Sequence, residues 1–175
     1  MNNLPQRKNI RLNDYDYSQN GAYFITICSY NREHIFGRID VGQGLCSCRN
    51  VLPVCNLSEI GTIVFQQMYE LQNRYTDIEI DKFVVMPNHI HVIIFIKRQE
   101  QSPCPTIGDI ICAYKSITTK MCNKKDNNTN GRKIWQFRFH DHIIRNEAEY
   151  QKIWEYIDTN HLKWQNDCYY SDVTV

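Results

Sequence analysis

Residues 89–96 read His89-Ile90-His91-Val92-Ile93-Ile94-Phe95-Ile96, the most hydrophobic stretch of the 175-residue chain, headed by two histidines one residue apart. A run this short and rich in β-branched residues reads as a strand, and a strand puts residues i and i+2 on one face. Both imidazoles therefore point the same way, at the start of a segment that otherwise packs. Burying two neutral imidazoles without partners costs about 1–3 kcal/mol for each unsatisfied group. Neutral imidazole is the commonest side-chain metal ligand, so a shared metal ion is one resolution. Two histidines hydrogen-bonded at a strand end is the other.

Working outward, Asp77 to Met86 is a second β-rich run, and Pro87-Asn88 between the two reads as a hairpin turn with the histidines just after it. Apolar residues occupy both faces of the 89–96 run, so it is expected as a central strand covered on both sides. Upstream, Ala22-Tyr23-Phe24-Ile25-Thr26-Ile27-Cys28 follows the turn signal Asn20-Gly21 and reads as a strand, with a weaker one at Ile35 to Ile39. Residues 40–56, with Gly42, Gly44, Pro53 and three cysteines, are expected to form a loop or hairpin insertion. From Leu57 the period becomes helical through Ile60, Val64, Met68 and Leu71, with Ser58 or Asn56 as the cap. A second helix is predicted over Thr106 to Cys122, with Ile107, Ile110, Ile111, Tyr114 and Ile117 inward and Lys115 and Lys120 outward. The polar tract Asn123 to Gly131 reads as a loop, and Ile134 to Arg145 contains another strand. Asn146-Glu147-Ala148-Glu149 then has the pattern of a capping box opening a third helix through about Asn160. Strand, helix, strand, strand, helix, strand, helix is the split βαβ order. It predicts an α+β, ferredoxin-like fold with a central antiparallel sheet and an extra C-terminal helix.

The length suits one domain, and a hydrophobic fraction of 42% supports a real core. The N-terminus has no apolar export signal and no run approaches the roughly 20 residues needed to span a bilayer, so the expectation is a soluble, cytoplasmic protein with no membrane partner. In that compartment the eight cysteines are expected to be mostly reduced. Cys46-Ser47-Cys48 with Cys55 lacks the second matching pair of a structural zinc site. The net charge of +1 implies no nucleic-acid partner by itself, but its distribution is uneven. Between Lys115 and Arg138 seven basic residues face one acid, Asp126, and a second cluster, Arg7-Lys8-Asn9-Ile10-Arg11, lies near the N-terminus. A solvated charged face accounts for both clusters equally well.

On the third predicted helix, Tyr150, Ile153, Trp154 and Ile157 form the apolar stripe, and Tyr156 and Asn160 stack on its flank four residues apart. That position lets a phenol hydroxyl and an amide oxygen reach toward the histidines, although an ordinary surface tyrosine and helix-end asparagine fit the same pattern. The chain resembles the HUH single-tyrosine transposases, and most closely the REP-associated tyrosine transposases. The resemblance covers nearly the whole sequence. It runs through Asn20-Gly21-Ala22-Tyr23-Phe24-Ile25-Thr26, Val84-Val85-Met86-Pro87-Asn88-His89-Ile90-His91, Ile134-Trp135-Gln136 and Phe139-His140-Asp141-His142-Ile143-Ile144-Arg145-Asn146, with the Tyr156/Asn160 helix after them.

The resemblance implies a single HUH transposase-like domain over 1–175, with His89, His91 and Asn160 as metal ligands, Tyr156 as nucleophile and Mg²⁺ or Mn²⁺ as cofactor. Insertion-sequence relatives carry glutamine in place of Asn160, and family members commonly have proline where His161 stands. The implied reaction is attack of the tyrosine on a DNA phosphodiester, giving a 5′-phosphotyrosine and a free 3′-hydroxyl. The implied partner is single-stranded or hairpin DNA of the repetitive extragenic palindrome type, and the implied location is the nucleoid. Both monomer and homodimer occur among such relatives. On this reading Arg7, Lys8, Arg11, Lys115, Lys120, Arg138 and Arg145 are candidate phosphate contacts, and Trp135 or Phe137 stacks on an unpaired base. The rival is a ferredoxin-like DNA- or RNA-hairpin-binding protein with no covalent step.

Overall fold

The computed structural model describes residues 19–39, 56–97, 105–126 and 131–170. In chain order the elements are β1 (Gly21–Cys28), β2 (Gly37–Arg38), β3 (Asn56–Leu57), α1 (Glu59–Arg74), β4 (Ile78–Val85), β5 (His89–Ile96), α2 (Ile107–Lys125), β6 (His140–Ile144) and α3 (Glu147–Thr159), followed by a 3-10 turn over Asn160–Asn166. The main sheet has the order β4-β5-β1-β6, with every neighbour antiparallel. Apart from the short β2–β3 ribbon, this is a βαββαβ unit with its first and third strands in the middle, plus α3: the ferredoxin-like arrangement.

The position of β5 follows from its sequence. It pairs with β1 along its whole length, from Gly21↔Ile96 to Cys28↔His89, and with β4 on its other edge. Only a strand flanked on both edges and covered on both faces can bury such an apolar run. Ile90, Val92, Ile94 and Ile96 pack with Tyr23, Ile25 and Ile27 of β1 against α1 and α2. Ile93 and Phe95 pack with Phe24 against Tyr150, Ile153, Trp154 and Ile157 of α3.

Local signals explain where the helices begin. Ser58 caps α1, its Oγ accepting from the Gly61 N–H at 3.0 Å and donating to the Ile35 carbonyl at 2.6 Å. The first turn of α1 rests so closely on the chain that a Cβ at Gly61 would lie 1.8 Å from the Phe36 carbonyl oxygen. Thr106 and Asp109 form a reciprocal capping box at the start of α2. At α3 only half of the expected box forms. Asn146 accepts from the Glu149 N–H at 2.9 Å, but the Glu149 carboxylate takes the N–H of Arg145 and the Nε2 of His142, each at 2.7 Å.

Three details depart from the sequence reading. Helix α2 continues to Lys125 rather than stopping near Cys122. Ile117 is half-buried, whereas Thr118, unanticipated, is fully buried and accepts from the indole N–H of Trp135 at 2.9 Å. Lys115 turns inward, as described below. The expected 40–56 insertion lies outside the described residues except for Asn56, which pairs with Arg38. Among the described residues Cys28, Cys112, Cys122 and Cys168 are free thiols, and no helix is long and apolar enough to cross a membrane.

Candidate active site

Because β5 opens directly after the Pro87-Asn88 turn, His89 and His91 both face α3, opposite Cys28 and Thr26 of β1. Both are fully buried, with ring centroids 4.5 Å apart. The hydrogen-bond network assigns the tautomer of His89. Asn88 donates its side-chain N–H groups to the carbonyls of Tyr169 (2.8 Å) and Arg32 (3.3 Å), which leaves its Oδ1 to accept from His89 Nδ1 at 2.9 Å. His91 Nδ1 meets Thr26 Oγ1 at 2.9 Å, and its Nε2 meets the Tyr156 hydroxyl at 3.1 Å, which also donates to Asp167 Oδ2 at 3.4 Å. His89 thus carries its proton on Nδ1, and both rings turn Nε2 toward one small space under α3. Burial pushes the pKa of His89 down to about 3 and that of His91 well below the ordinary value, so both are neutral at physiological pH.

Helix α3 and its following turn supply the opposite wall. Tyr156 and Asn160 lie on the same side, one turn apart, and a buried Trp164 anchors the 3-10 turn against the rings of His89 and His34. Burial, followed by the Asp167 carboxylate, raises the Tyr156 pKa above its ordinary value, so this phenol needs nearby positive charge to ionise. Asn160 is buried, donates from Nδ2 to Asp167 Oδ2 at 2.8 Å, and has no partner for Oδ1. His89 Nε2 is likewise buried and unpartnered. Native proteins rarely leave such groups unsatisfied without a reason. Two imidazole Nε2 atoms and an amide oxygen, two of these three atoms lacking partners, form a donor set that can hold a divalent cation.

Two residues at this site were not anticipated. Asp167 sits just beyond the 3-10 turn, and its ligand oxygen lies within 4.8 Å of those of His89 and His91. No spacing rule links it to the histidines; only the turn brings it back. Arg32 follows β1 in a left-handed stretch, with φ of 52° at Asn31 and 59° at Arg32. Its guanidinium stands over the Tyr169 ring, 5.2 Å from the centroid, and its charge helps to depress the His89 pKa.

The predicted basic contacts separate. Lys115, expected to face outward, instead donates from Nζ to the carbonyls of Gln136 (2.9 Å), Phe137 (3.4 Å) and Arg138 (3.1 Å), and burial lowers its pKa to about 8. It clamps a loop that leaves Arg138 exposed and Phe137 97% exposed. That loop lies at the histidine end of the sheet, since Gln136 N–H donates to the Cys28 carbonyl. Trp135 is buried against Phe36 and Tyr114, so it packs rather than offering a free stacking face. Lys120 is exposed on α2. Arg145 follows the Ile144 that pairs with Ala22, which places it at the end of the sheet away from the histidines. Tyr150, the other polar aromatic of α3, donates to Asp81 at 2.8 Å, and its pKa is pushed up to about 12. Arg7, Lys8 and Arg11 lie outside the described residues.

Comparison with known proteins agrees with this fold. An uncharacterized protein of Haemophilus influenzae is 34% identical over 186 residues, covering 97% of this chain and 96% of the relative. The structure of a REP-associated tyrosine transposase bound to a REP hairpin superposes with a TM-score of 0.52 at 21% identity, covering 88% of this chain and 74% of that one; at that identity the likeness speaks for the fold. The family model described as "Transposase IS200 like" matches residues 56–160, a span that includes His89, His91, Tyr156 and Asn160. The chain belongs to the IS200-like transposase family.

Proposed function

We propose that this protein is a metal-dependent, single-strand DNA transposase of the REP-associated kind, which cleaves and rejoins hairpin-associated DNA through Tyr156. The observation that carries the reading is the Tyr156 hydroxyl 3.1 Å from His91 Nε2, in a space also lined by the unpartnered His89 Nε2 and Asn160 Oδ1. His89, His91 and Asn160 would hold a divalent cation. When bound, that ion supplies Lewis-acid polarisation of the scissile phosphate and offsets the charge that builds on phosphorus.

The protein's own groups do the rest. Thr26 and Asn88 hold the two imidazoles in the orientation that directs Nε2 inward, and Asn88 also fixes the tautomer of His89. Helix α3 presents the phenol from a partly exposed position, so a phosphate entering the cleft meets the hydroxyl directly. The Tyr156 oxygen then bonds to phosphorus while the bond from phosphorus to the 3′ oxygen breaks. The 5′ side stays on the tyrosine, the 3′ oxygen takes up a proton, and attack by another 3′-hydroxyl reverses the step. Arg32 and Arg138 are placed to hold flanking phosphates, and Phe137 to stack on an unpaired base. A DNA substrate would place this work at the nucleoid.

The test uses hairpin DNA from the gene's own flanks, labelled separately at each end, with Mn²⁺ and a denaturing gel. The expected product is a protein adduct carrying the 3′-labelled fragment. Nicking without any adduct would make water the nucleophile and overturn the covalent mechanism.

A further inference from the structure

We infer that Asp167 is an anionic fourth ligand of the cation at this site, an inference that rests on the metal reading above. The Asp167 side chain is 1% exposed, and its Oδ2 lies 4.0 Å from His89 Nε2, 2.8 Å from Asn160 Nδ2 and 3.4 Å from the Tyr156 hydroxyl. Its Oδ1 accepts from the Tyr169 N–H at 2.7 Å. Among the described residues no lysine or arginine forms an ion pair with it; the nearest ring nitrogen is the buried Nε2 of His89. A carboxylate removed from water without a cationic partner is costly, even with hydrogen bonds to share the charge.

One cation resolves three deficits together: the carboxylate charge, the empty lone pair of His89 Nε2 and the unpartnered Asn160 Oδ1. Two atoms bonded to a single ion at about 2.1 Å lie roughly 3–4 Å apart, so the 4.0 Å spacing from His89 needs little adjustment. Without Asp167 the donor set is wholly neutral and mostly nitrogen, whereas Mg²⁺ and Mn²⁺ favour carboxylate oxygen. Asp167 also orients its neighbour. By taking the Nδ2 of Asn160 it turns Oδ1 into the space where the ion would sit. The 3-10 turn makes this geometry available, because the Asp167 N–H donates to the carbonyl of the buried Trp164 at 3.0 Å.

The test is a Mn²⁺ titration of the full chain read by electron paramagnetic resonance, with Asp167→Asn compared to wild type and to His89→Ala. Asp167→Asn is expected to weaken Mn²⁺ binding by about 10–100-fold. Equal affinity in Asp167→Asn would overturn the assignment, and tighter binding would show that the carboxylate obstructs the ion. Should the variant fail to fold, electron–nuclear double resonance on wild type labelled with ¹³C-aspartate decides the matter. A strong carboxylate coupling supports the ligand, and its absence removes it. Wild-type protein that binds no Mn²⁺ at all would refute the metal centre itself, an outcome distinct from loss of Asp167's role alone.

Discussion

The two faces of β5 come from alternate residues of one eight-residue run and have opposite characters. Toward α1 and α2 the strand offers Ile90, Val92, Ile94 and Ile96, and the two hydroxyls that α2 buries there are paired: Tyr114 donates to the Val64 carbonyl at 2.8 Å, and Thr118 accepts from Trp135. Toward α3 it offers His89 and His91 before Ile93 and Phe95, and there the buried atoms His89 Nε2 and Asn160 Oδ1 are left without partners. What separates the face that holds the protein together from the face that has something to bind is the convergence of ligand-type atoms, His89, His91, Asn160 and Asp167, in one place.

The contrast is broken most directly at Tyr156. Tyr156→Phe should reduce DNA cleavage and adduct formation by roughly a thousandfold or more, while leaving the fold and hairpin binding intact. Gel assays alongside a binding titration check this. Full activity in the Phe variant would make the α3 face merely another packing surface.

A paired substitution sharpens it next. Ile94→Ala should cost about 2–5 kcal/mol of stability and leave Mn²⁺ affinity unchanged. His89→Ala should abolish Mn²⁺ binding; its cost to the metal-free protein comes from the lost bond to Asn88 Oδ1 and the buried ring contacts, not from Nε2, which is already unsatisfied. Urea melts and metal titrations on the same samples separate the two effects.

Acid should act on only one of the faces. An unfolded chain protonates His89 below its ordinary pKa of 6.5, whereas the native protein resists until about 3, so the unfolded state binds the extra proton between those values. Stability of the metal-free protein is therefore full above pH 6.5 and declines as pH falls toward 3, by on the order of 4 kcal/mol for this group. His89→Ala should flatten that slope and Ile94→Ala should keep it. An unchanged slope in His89→Ala would show that other groups control acid unfolding.

The smallest expected effect is at the loop clamped by Lys115. Arg138→Ala should weaken hairpin binding for all sequences alike and reduce the log–log salt slope by about one, whereas Lys120→Ala on α2 should do less. Loss confined to one DNA sequence would point instead to base readout.

Much of this arrangement was legible in one dimension because it depends on near neighbours. The Pro87-Asn88 turn, the Ser58 cap, the alternation that sets His89 and His91 on one face and the four-residue spacing of Tyr156 and Asn160 all follow from backbone periodicity and turn chemistry. Lys115 was misjudged because helical period places it on a flank without revealing that the carbonyls of 136–138 would arrive there. The half-formed capping box at Asn146 has a similar origin, since Glu149 is drawn off by His142 from the neighbouring strand.

The sequence by itself therefore determined the α+β order of elements, the histidine pair and the tyrosine helix, all read from contacts between residues close along the chain. Tertiary structure alone decided that Asp167 returns under the histidines, that Arg32 faces the same space from a left-handed turn, and that the carbonyls of Arg32 and Tyr169 orient Asn88 toward His89. These depend on where a 3-10 turn and two loops come to rest against a finished sheet, and no periodicity encodes the meeting of groups that far apart in the chain.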